Sequence, residues 1–407
     1  MNKTVLHNFS FLTILQGLTV LAPLLTYPYL IRVIGDERFG AVIWSYSIMQ
    51  FFIVLINFGF NITGTKQIAE AETDEQKREI VSSIYLIKTG LFLISFLFLF
   101  GLTIVFTTFR DEKLLLFSYF FITVGEVLVP IWFFQGIEKM KFLTIVNGGA
   151  KILSTVFVFL LVTTQSDYFL VPIIQSVFAV MAGIGSVFIL SSILKKPFQR
   201  VKFSVIKRDF LDGLQFLASR LSSIVIERVN ILLIQSFLGF SEVTYYDFAT
   251  KIVNLVKIPY DLLNQAIYPY VIRTQKMLVV QRIILLIGLS GILIIGIVHF
   301  YGSPIFSLVA GESNLLGISI LKLLIWVAPI TGIGFFLGNT ALVLKGYNRY
   351  FNLSIIYAML LYVAVITGLY LFEEISAYSL ALTYLVITLF WVSYRAYYVL
   401  KLKILPV

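Results

Sequence analysis

This chain has no cysteine, two histidines and little charge of either sign. Of 407 residues, 31 are Lys or Arg and 21 are Asp or Glu, so charged side chains make up 13%. Without cysteine there are no disulfides, zinc–thiolate sites, iron–sulfur clusters or thiol nucleophiles. His7 and His299 stand alone, without ligand spacing, and read as structural. No Walker loop, dinucleotide fingerprint, nucleophile elbow or His/carboxylate metal cluster occurs. That argues against transport driven by nucleotide hydrolysis on this chain and against a bound cofactor. MNKTVLHNFSF runs straight into a span too long for a signal core, with no small-residue cleavage pattern, and reads as a retained first helix.

What the chain has instead is apolar sequence, 59% of it, with a mean hydropathy of +0.95. Soluble chains carry ~25% charged residues, so the composition is that of an all-α polytopic membrane protein. A run of about 20 apolar residues crosses the bilayer core as one helix. Twelve such runs can be drawn, at 9–33, 39–63, 80–108, 114–136, 142–164, 168–194, 209–235, 243–271, 279–301, 315–344, 350–372 and 376–400. Pro23, Pro28, Pro130 and Pro259 are expected kink sites. The net charge of +10 resembles a nucleic-acid signal, but its distribution assigns it to membrane topology. With the N-terminus inside, twenty Lys and Arg fall on inner loops and ends, including Arg395, Lys401 and Lys403 after the last span. Four fall outside, at Arg32, Arg38, Arg110 and Lys113. That bias predicts two cytoplasmic termini and a membrane protein that binds no nucleic acid.

The basic segment KKPFQRVKFSVIKR at 195–208 sits near mid-chain and reads as a linker between lobes at 1–194 and 209–407. GDERFGAVIWSYS at 35–47 aligns with GFSEVTYYDFATK at 239–251, and FQGIEKMKF at 134–142 with LKGYNRYFN at 344–352. The near-constant offset suggests two parallel six-helix lobes.

Seven cations lie inside the apolar spans: Lys88, Lys151, Arg220, Arg228, Lys251, Lys257 and Lys322. Four carboxylates share that environment: Glu126, Glu227, Asp247 and Asp261. A charge at the bilayer centre costs at least ~2.5–3.5 kcal/mol, so such groups face a bundle interior or a hydrated cavity. The excess of cations suits an anionic cargo. In span 243–271, Asp247, Lys251, Asn254, Lys257 or Ile258, Asp261 and Gln265 recur at steps of three and four, along one helix face. Two readings stand. Asp247–Lys251 and Lys257–Asp261 are i,i+4 pairs that can neutralise each other, or the stripe lines a cavity. In the preceding span Arg220, Glu227 and Arg228 share a face, and Arg220 lies ~16 Å above Asp209, near mid-membrane. Lys251 reaches a similar depth from the other end of its own span, which makes Arg220 and Lys251 a candidate phosphate pair; Arg220–Glu227 pairing is the alternative. Gln16, Asn57, Gln135 and other polar residues are sparser in the first half, where Lys88 and Lys151 either face inward or snorkel to the inner surface. Glu126, four residues before Pro130, reads either as a proton carrier or as an acceptor at the proline break. Tyr245, Tyr246, Tyr260 and Tyr268 fall near the stripe and are candidates for stacking on sugars, against a packing role.

YPYLIRVIGDERFG at 27–40, NFGFN at 57–61, WFFQGIEKMK at 132–141 and ATKIVNLVKIPYDLLNQAIYP at 249–269 resemble Wzx-type O-antigen repeat-unit flippases. These form the polysaccharide branch of the multidrug/oligosaccharidyl-lipid/polysaccharide exporters. The resemblance implies two six-helix lobes around a central cationic cavity, no catalysis, and alternating access. The implied cargo is an oligosaccharide on undecaprenyl diphosphate, moved to the periplasmic leaflet of the bacterial inner membrane, with other glycan-assembly membrane proteins as further partners. By helix position it places the diphosphate and glycan at Arg220, Arg228, Lys251, Asn254, Lys257 and Lys88. Two ways of driving transport stay open: the membrane potential alone, or ion or proton coupling through Asp247, Asp261, Glu227 or Glu126. A multidrug or cation antiporter of the same fold would favour an acidic or apolar cavity. A glycan polymerase would carry a sizeable outer loop, which this chain lacks.

Overall fold

The computed structural model describes the backbone of residues 3–310 and 314–405, with side chains at all of these except 3–12, 16, 20, 219, 266, 269, 305 and 308–310. Gln16 and His7, named above, therefore lie outside the described side chains. The all-α expectation holds: among the described residues every regular element is a helix. In chain order they are α1 (Lys3–Ile34), α2 (Asp36–Asn57), α3 (Phe60–Glu70), α4 (Asp74–Val105), α5 (Thr107–Asp111) and α6 (Lys113–Phe120). Then come α7 (Ile122–Leu128), α8 (Ile131–Gly136), α9 (Met140–Leu161), α10 (Leu170–Leu194), α11 (Phe203–Leu238) and α12 (Phe240–Thr274). The chain continues through α13 (Met277–Ala310), α14 (Leu315–Leu324), α15 (Val327–Phe335), a π-helical stretch (Phe336–Val343), α16 (Asn348–Leu371) and α17 (Ala377–Lys401).

Eleven spans among the described residues are long and apolar enough to cross a membrane, and they match eleven of the twelve runs. The twelfth is α12, whose 35 residues are ample in length but carry the charged stripe. The chain forms two compact units, Met1–Ile224 and Val225–Val407, with the division inside α11.

In unit 1 two spans are broken, and local chemistry explains each break. Span Asp36–Glu70 is interrupted where Phe58 (φ 49) and Gly59 (φ 96) turn left-handed between α2 and α3. The turn sits against α11: Phe58 stacks on Phe210 at 4.7 Å. A Cβ on Gly59 would fall 2.8 Å from Phe216 Cβ, and one on Gly213 2.7 Å from the Phe58 ring. Span Lys113–Gly136 stops at Val129 and restarts after Pro130, which has no N–H to continue the ladder. By contrast α1 and α12 are assigned as continuous helix through Pro23, Pro28 and Pro259. Trp132, Phe133 and Phe134, at most 1% exposed, fill the unit's core with Phe58, Phe60 and Ile84. In lipid such residues hold helices together by close packing more than by escape from water. The basic segment after α10 is tied down: Gln199 N donates to Ser82 Oγ at 2.8 Å, and Phe198 meets the Tyr85 ring edge-on at 5.2 Å.

Unit 2 reuses two turns of unit 1. Gly35 (φ 81) and Gly239 (φ 103) both precede the first residue of a long helix. The α8–α9 turn bonds Lys139 N to Phe134 O and Glu138 N to Gln135 O; after the π-helix, Tyr347 N bonds Leu342 O and Gly346 N bonds Val343 O. The unit 2 core gathers Tyr260, Phe336, Tyr362 and Trp391.

Candidate functional site

Charge in unit 2 centres on Asp247, in the second turn of α12 and 1% exposed. Its Oδ2 lies 3.7 Å from Lys251 Nζ, one turn along the same helix, as the i,i+4 spacing anticipates. Its Oδ1 lies 3.6 Å from Arg228 Nη1 on α11. Both contacts are longer than the ~2.7–2.9 Å of a tight charged hydrogen bond. The Arg228 and Lys251 side chains keep 18% and 17% of their surface. Asp247 thus brings two cations together, and the Glu227 carboxylate, next to Arg228 on α11, also acts on Lys251.

The rest of the stripe divides. Lys257 Nζ reaches Tyr384 Oη at 3.5 Å and sits 5.6 Å above its ring. Asp261 accepts from Gln265 Nε2 at 3.0 Å, and Asn254 is exposed. On α11, Glu227 is exposed, and so is Arg220, which belongs to unit 1. Three of the four tyrosines near the stripe do not offer faces to a sugar: Tyr245, Tyr246 and Tyr260 are 4%, 2% and 6% exposed, while Tyr268 is partly exposed. Tyr246 joins a buried network that sequence reasoning missed. Asn230 Nδ2 donates to Tyr246 Oη (2.7 Å) and Leu380 O (3.2 Å), and Tyr362 Oη donates to Asn230 Oδ1 (2.5 Å). One carboxamide thus locks α11 to α12, α16 and α17, two residues beyond Arg228.

Unit 1 holds a second polar centre. Lys88 is 2% exposed, so it does not snorkel. Its Nζ donates to Asn57 Oδ1 at 3.1 Å and to the Glu126 carbonyl at 2.5 Å, while Asn57 Nδ2 donates to Glu126 Oε2 at 3.0 Å. Asn57 can serve both because it ends α2, where the chain turns at Phe58. Glu126 also lines a cavity of about 240 Å³ with Lys151, Asn147, Gln175 and Tyr46. His299 contacts the carbonyl of Ile295 and the edge of Trp326, as a structural histidine does. Among the described residues no group of three or more His, Asp or Glu is placed to hold a metal.

Arg395, counted in the sequence with the inner-end charges, is instead 3% exposed. Its guanidinium lies over Phe351 and Trp391, at 4.3 and 4.6 Å, and donates to Ser354 Oγ and Gly334 O. The π-helix gives it room, since a Cβ on Gly338 would fall 2.5 Å from its Nη1. Flanking aromatics were the only sequence signal for this burial.

Long apolar helices in two units, carrying buried charge, define a polytopic membrane protein. A family model described as polysaccharide biosynthesis protein matches residues 5–275, and the chain belongs to that family. It is 31% identical over 287 residues, 69% of its own length and 68% of the relative's, to a protein of Escherichia coli (strain K12) named as an O-antigen transporter. A Shigella dysenteriae protein of the same name is 24% identical over 268 residues, covering 64% of this chain and 66% of that one. In fold it is similar to an inward-facing MATE-family multidrug resistance transporter of the MOP superfamily, with TM-score 0.72, 14% identity and coverage of 94% and 95%. It is also similar to the lipid II flippase MurJ in an inward closed conformation, with TM-score 0.65, 16% identity and coverage of 98% and 88%. The motifs at 27–40, 57–61 and 132–141 lie inside the matched family region, and the resemblance drawn from them is borne out. The chain is a multi-pass bacterial membrane protein.

Proposed function

We propose that this protein moves an undecaprenyl-diphosphate-linked oligosaccharide from the cytoplasmic to the periplasmic leaflet of the bacterial inner membrane, by alternating access of its N- and C-terminal six-helix lobes. The reading rests on one observation above all: Arg228 and Lys251 converge on the buried Asp247 carboxylate, which sets two cations side by side on membrane helices. In this scheme Arg228 and Lys251 take the diphosphate, with Asn254 and Lys257 further along α12 and Arg220 two turns earlier on α11. Arg binds phosphate oxygens through its planar fork and Lys as a point charge. Lys88 contributes by orienting Glu126, the carboxylate that faces the unit 1 cavity. Glu126, Glu227, Asp247 and Asp261 are the groups for ion or proton coupling. The names of the bacterial relatives support the cargo class, and the excess of Lys and Arg on one set of loops supports cytoplasmic termini. A diphosphate diester carries about two negative charges, each worth ~2.3 kcal/mol per 100 mV, so an inside-negative potential favours outward movement.

The test is leaflet transfer of a fluorescent short-chain polyprenyl-diphosphate oligosaccharide in vesicles. Wild type transfers it, and a folded Arg228→Ala/Lys251→Ala variant does not. Transfer that survives in that variant moves the phosphate site elsewhere. No transfer by wild type, with a potential or ion gradient imposed, sinks the flippase reading.

A further inference from the structure

Eight residues, 195–202, join α10 to α11 within unit 1 and are tied down against α4. Gln199 N donates to Ser82 Oγ at 2.8 Å and its Nε2 to the Glu75 carbonyl at 3.3 Å, Pro197 is buried, and Phe198 meets the Tyr85 ring. Lys195 and Lys196 are both left-handed, at φ 41 and 74. Glycine takes that conformation freely, whereas another residue is held in it only by its surroundings. The spans Gln165–Leu194 and Asp74–Val105 both end here, so the segment lies where the bilayer core gives way to headgroups.

The segment carries one sign of charge. From 195 to 207 there are five cations, Lys195, Lys196, Arg200, Lys202 and Lys207, and no carboxylate. All five are exposed. Residues 72–79 bring four carboxylates and two cations to the same end, which leaves the two stretches together three positive. Arg208 and Asp209, just beyond, neutralise each other at 3.0 Å. Phe198 and Phe203, 51% and 77% exposed, lie between the cations in sequence. Fixing topology requires only that cations lie on a loop. It does not require that two of them hold a left-handed backbone, that the loop be bonded to a neighbouring helix, or that aromatics be displayed between them. Cations with exposed aromatics are the pattern of a surface that meets acidic lipid.

We propose that residues 195–207 bind the headgroups of acidic phospholipids, the five cations taking phosphates while Phe198 and Phe203 enter the acyl boundary beside them. On the orientation proposed above this is the cytoplasmic leaflet, whose surface is negative. The lipid bound here is an anchor rather than the cargo: it holds the joint between α10 and α11 at the inner surface. Such a surface requires only an embedded chain, so it stands apart from the flippase reading.

The test uses the full-length protein in non-ionic detergent and two fluorescent probes with the same tails, phosphatidylglycerol and phosphatidylcholine. Wild type should prefer phosphatidylglycerol, and the preference should shrink as salt is raised. Each cation near an acidic surface is worth about fivefold in affinity. Lys195→Gln/Lys196→Gln should therefore bind phosphatidylglycerol about twentyfold more weakly and phosphatidylcholine as before. Lys139→Gln/Lys141→Gln removes two exposed cations at the start of α9 and should change either affinity by less than about threefold. If the first variant does not fold, Arg200→Gln/Lys202→Gln decides. Equal losses in the two variants reduce the segment's charge to topology and overturn the site, as does a wild type that binds both probes alike. Glycerol phosphate that displaces the labelled lipid as well as unlabelled phosphatidylglycerol does overturns it in favour of a free anion. Displacement by undecaprenyl diphosphate at far lower concentration overturns it in favour of a cargo site.

Discussion

Asp247 and Arg228, on consecutive helices, meet at 3.6 Å, and Lys251 approaches the other oxygen of the same carboxylate at 3.7 Å. Asp247→Asn leaves two cations with no anion between them. Breaking a buried pair by deleting one partner costs ~3–5 kcal/mol, and the partial exposure of Arg228 and Lys251 places this variant at the lower end. Chemical unfolding in detergent should show the loss. On the proposed reading, the folded variant also binds bare undecaprenyl diphosphate more tightly than wild type, because the site loses one negative charge.

Lys88→Met takes the donor from Asn57 Oδ1 and from the Glu126 carbonyl. Each buried acceptor left unsatisfied costs ~1–3 kcal/mol, so the variant should unfold at clearly lower denaturant. Lys66→Met serves as the control. Lys66 is 74% exposed and pairs with Glu70 at 3.8 Å, and its loss should stay within ~0.5 kcal/mol. Equal effects at the two lysines would sink the claim that the Asn57–Lys88–Glu126 network organises unit 1.

Gly59→Ala places a Cβ 2.8 Å from Phe216 Cβ at a residue with φ +96. Left-handed strain of ~1–2 kcal/mol adds to the ~1–3 kcal/mol of overpacking. In the middle of α4, a Cβ added to Gly90 would meet nothing within 4 Å, and Gly90→Ala should be neutral or stabilising by up to ~1 kcal/mol. Thermal midpoints of the two variants should therefore move in opposite directions.

Glu112 lies between α5 and α6, just before the span that starts at Lys113. Burial raises its carboxyl pKa above the ordinary 4.5, with Arg38 opposing and Asp111 and Glu37 reinforcing the rise. The folded state therefore holds this proton more tightly than the unfolded state does. Its contribution to stability falls as pH rises from the unfolded value through the folded one, and the deficit persists above. Glu112→Gln should be more stable than wild type at neutral pH, and the difference should vanish below pH 4.5. The group is only partly buried, which keeps the effect small. A difference that grows on acidification would refute the sign.

Much of the fold is legible in local sequence because the hydrocarbon core fixes how long an apolar run must be. Span 243–271 illustrates the limit of averaging: Asp247, Lys251, Lys257 and Asp261 hide α12 from a hydropathy mean, while their period of three and four reveals a helix. Asp247–Lys251 was readable because both residues ride one helix a turn apart. Arg228 was readable as buried but not as the partner of Asp247, because pairing across helices depends on how each is rotated. The same holds for Lys88, whose snorkelling and inward readings differ only in which neighbour stands beside it.

The sequence by itself determined that the chain is a helical membrane protein, which spans it has, and that cations outnumber anions inside it. It also carried the family, through motifs whose glycines and aromatics set turns and core. Tertiary structure alone decided which charges are joined. Asn57 meets Lys88 and Glu126, Gln67 meets Asp209, and Arg395 withdraws among aromatics on α16 and α17. These contacts close only when distant helices pack at one depth and one rotation. No local periodicity encodes that coincidence, since each helix presents the same face whether or not its partner is there.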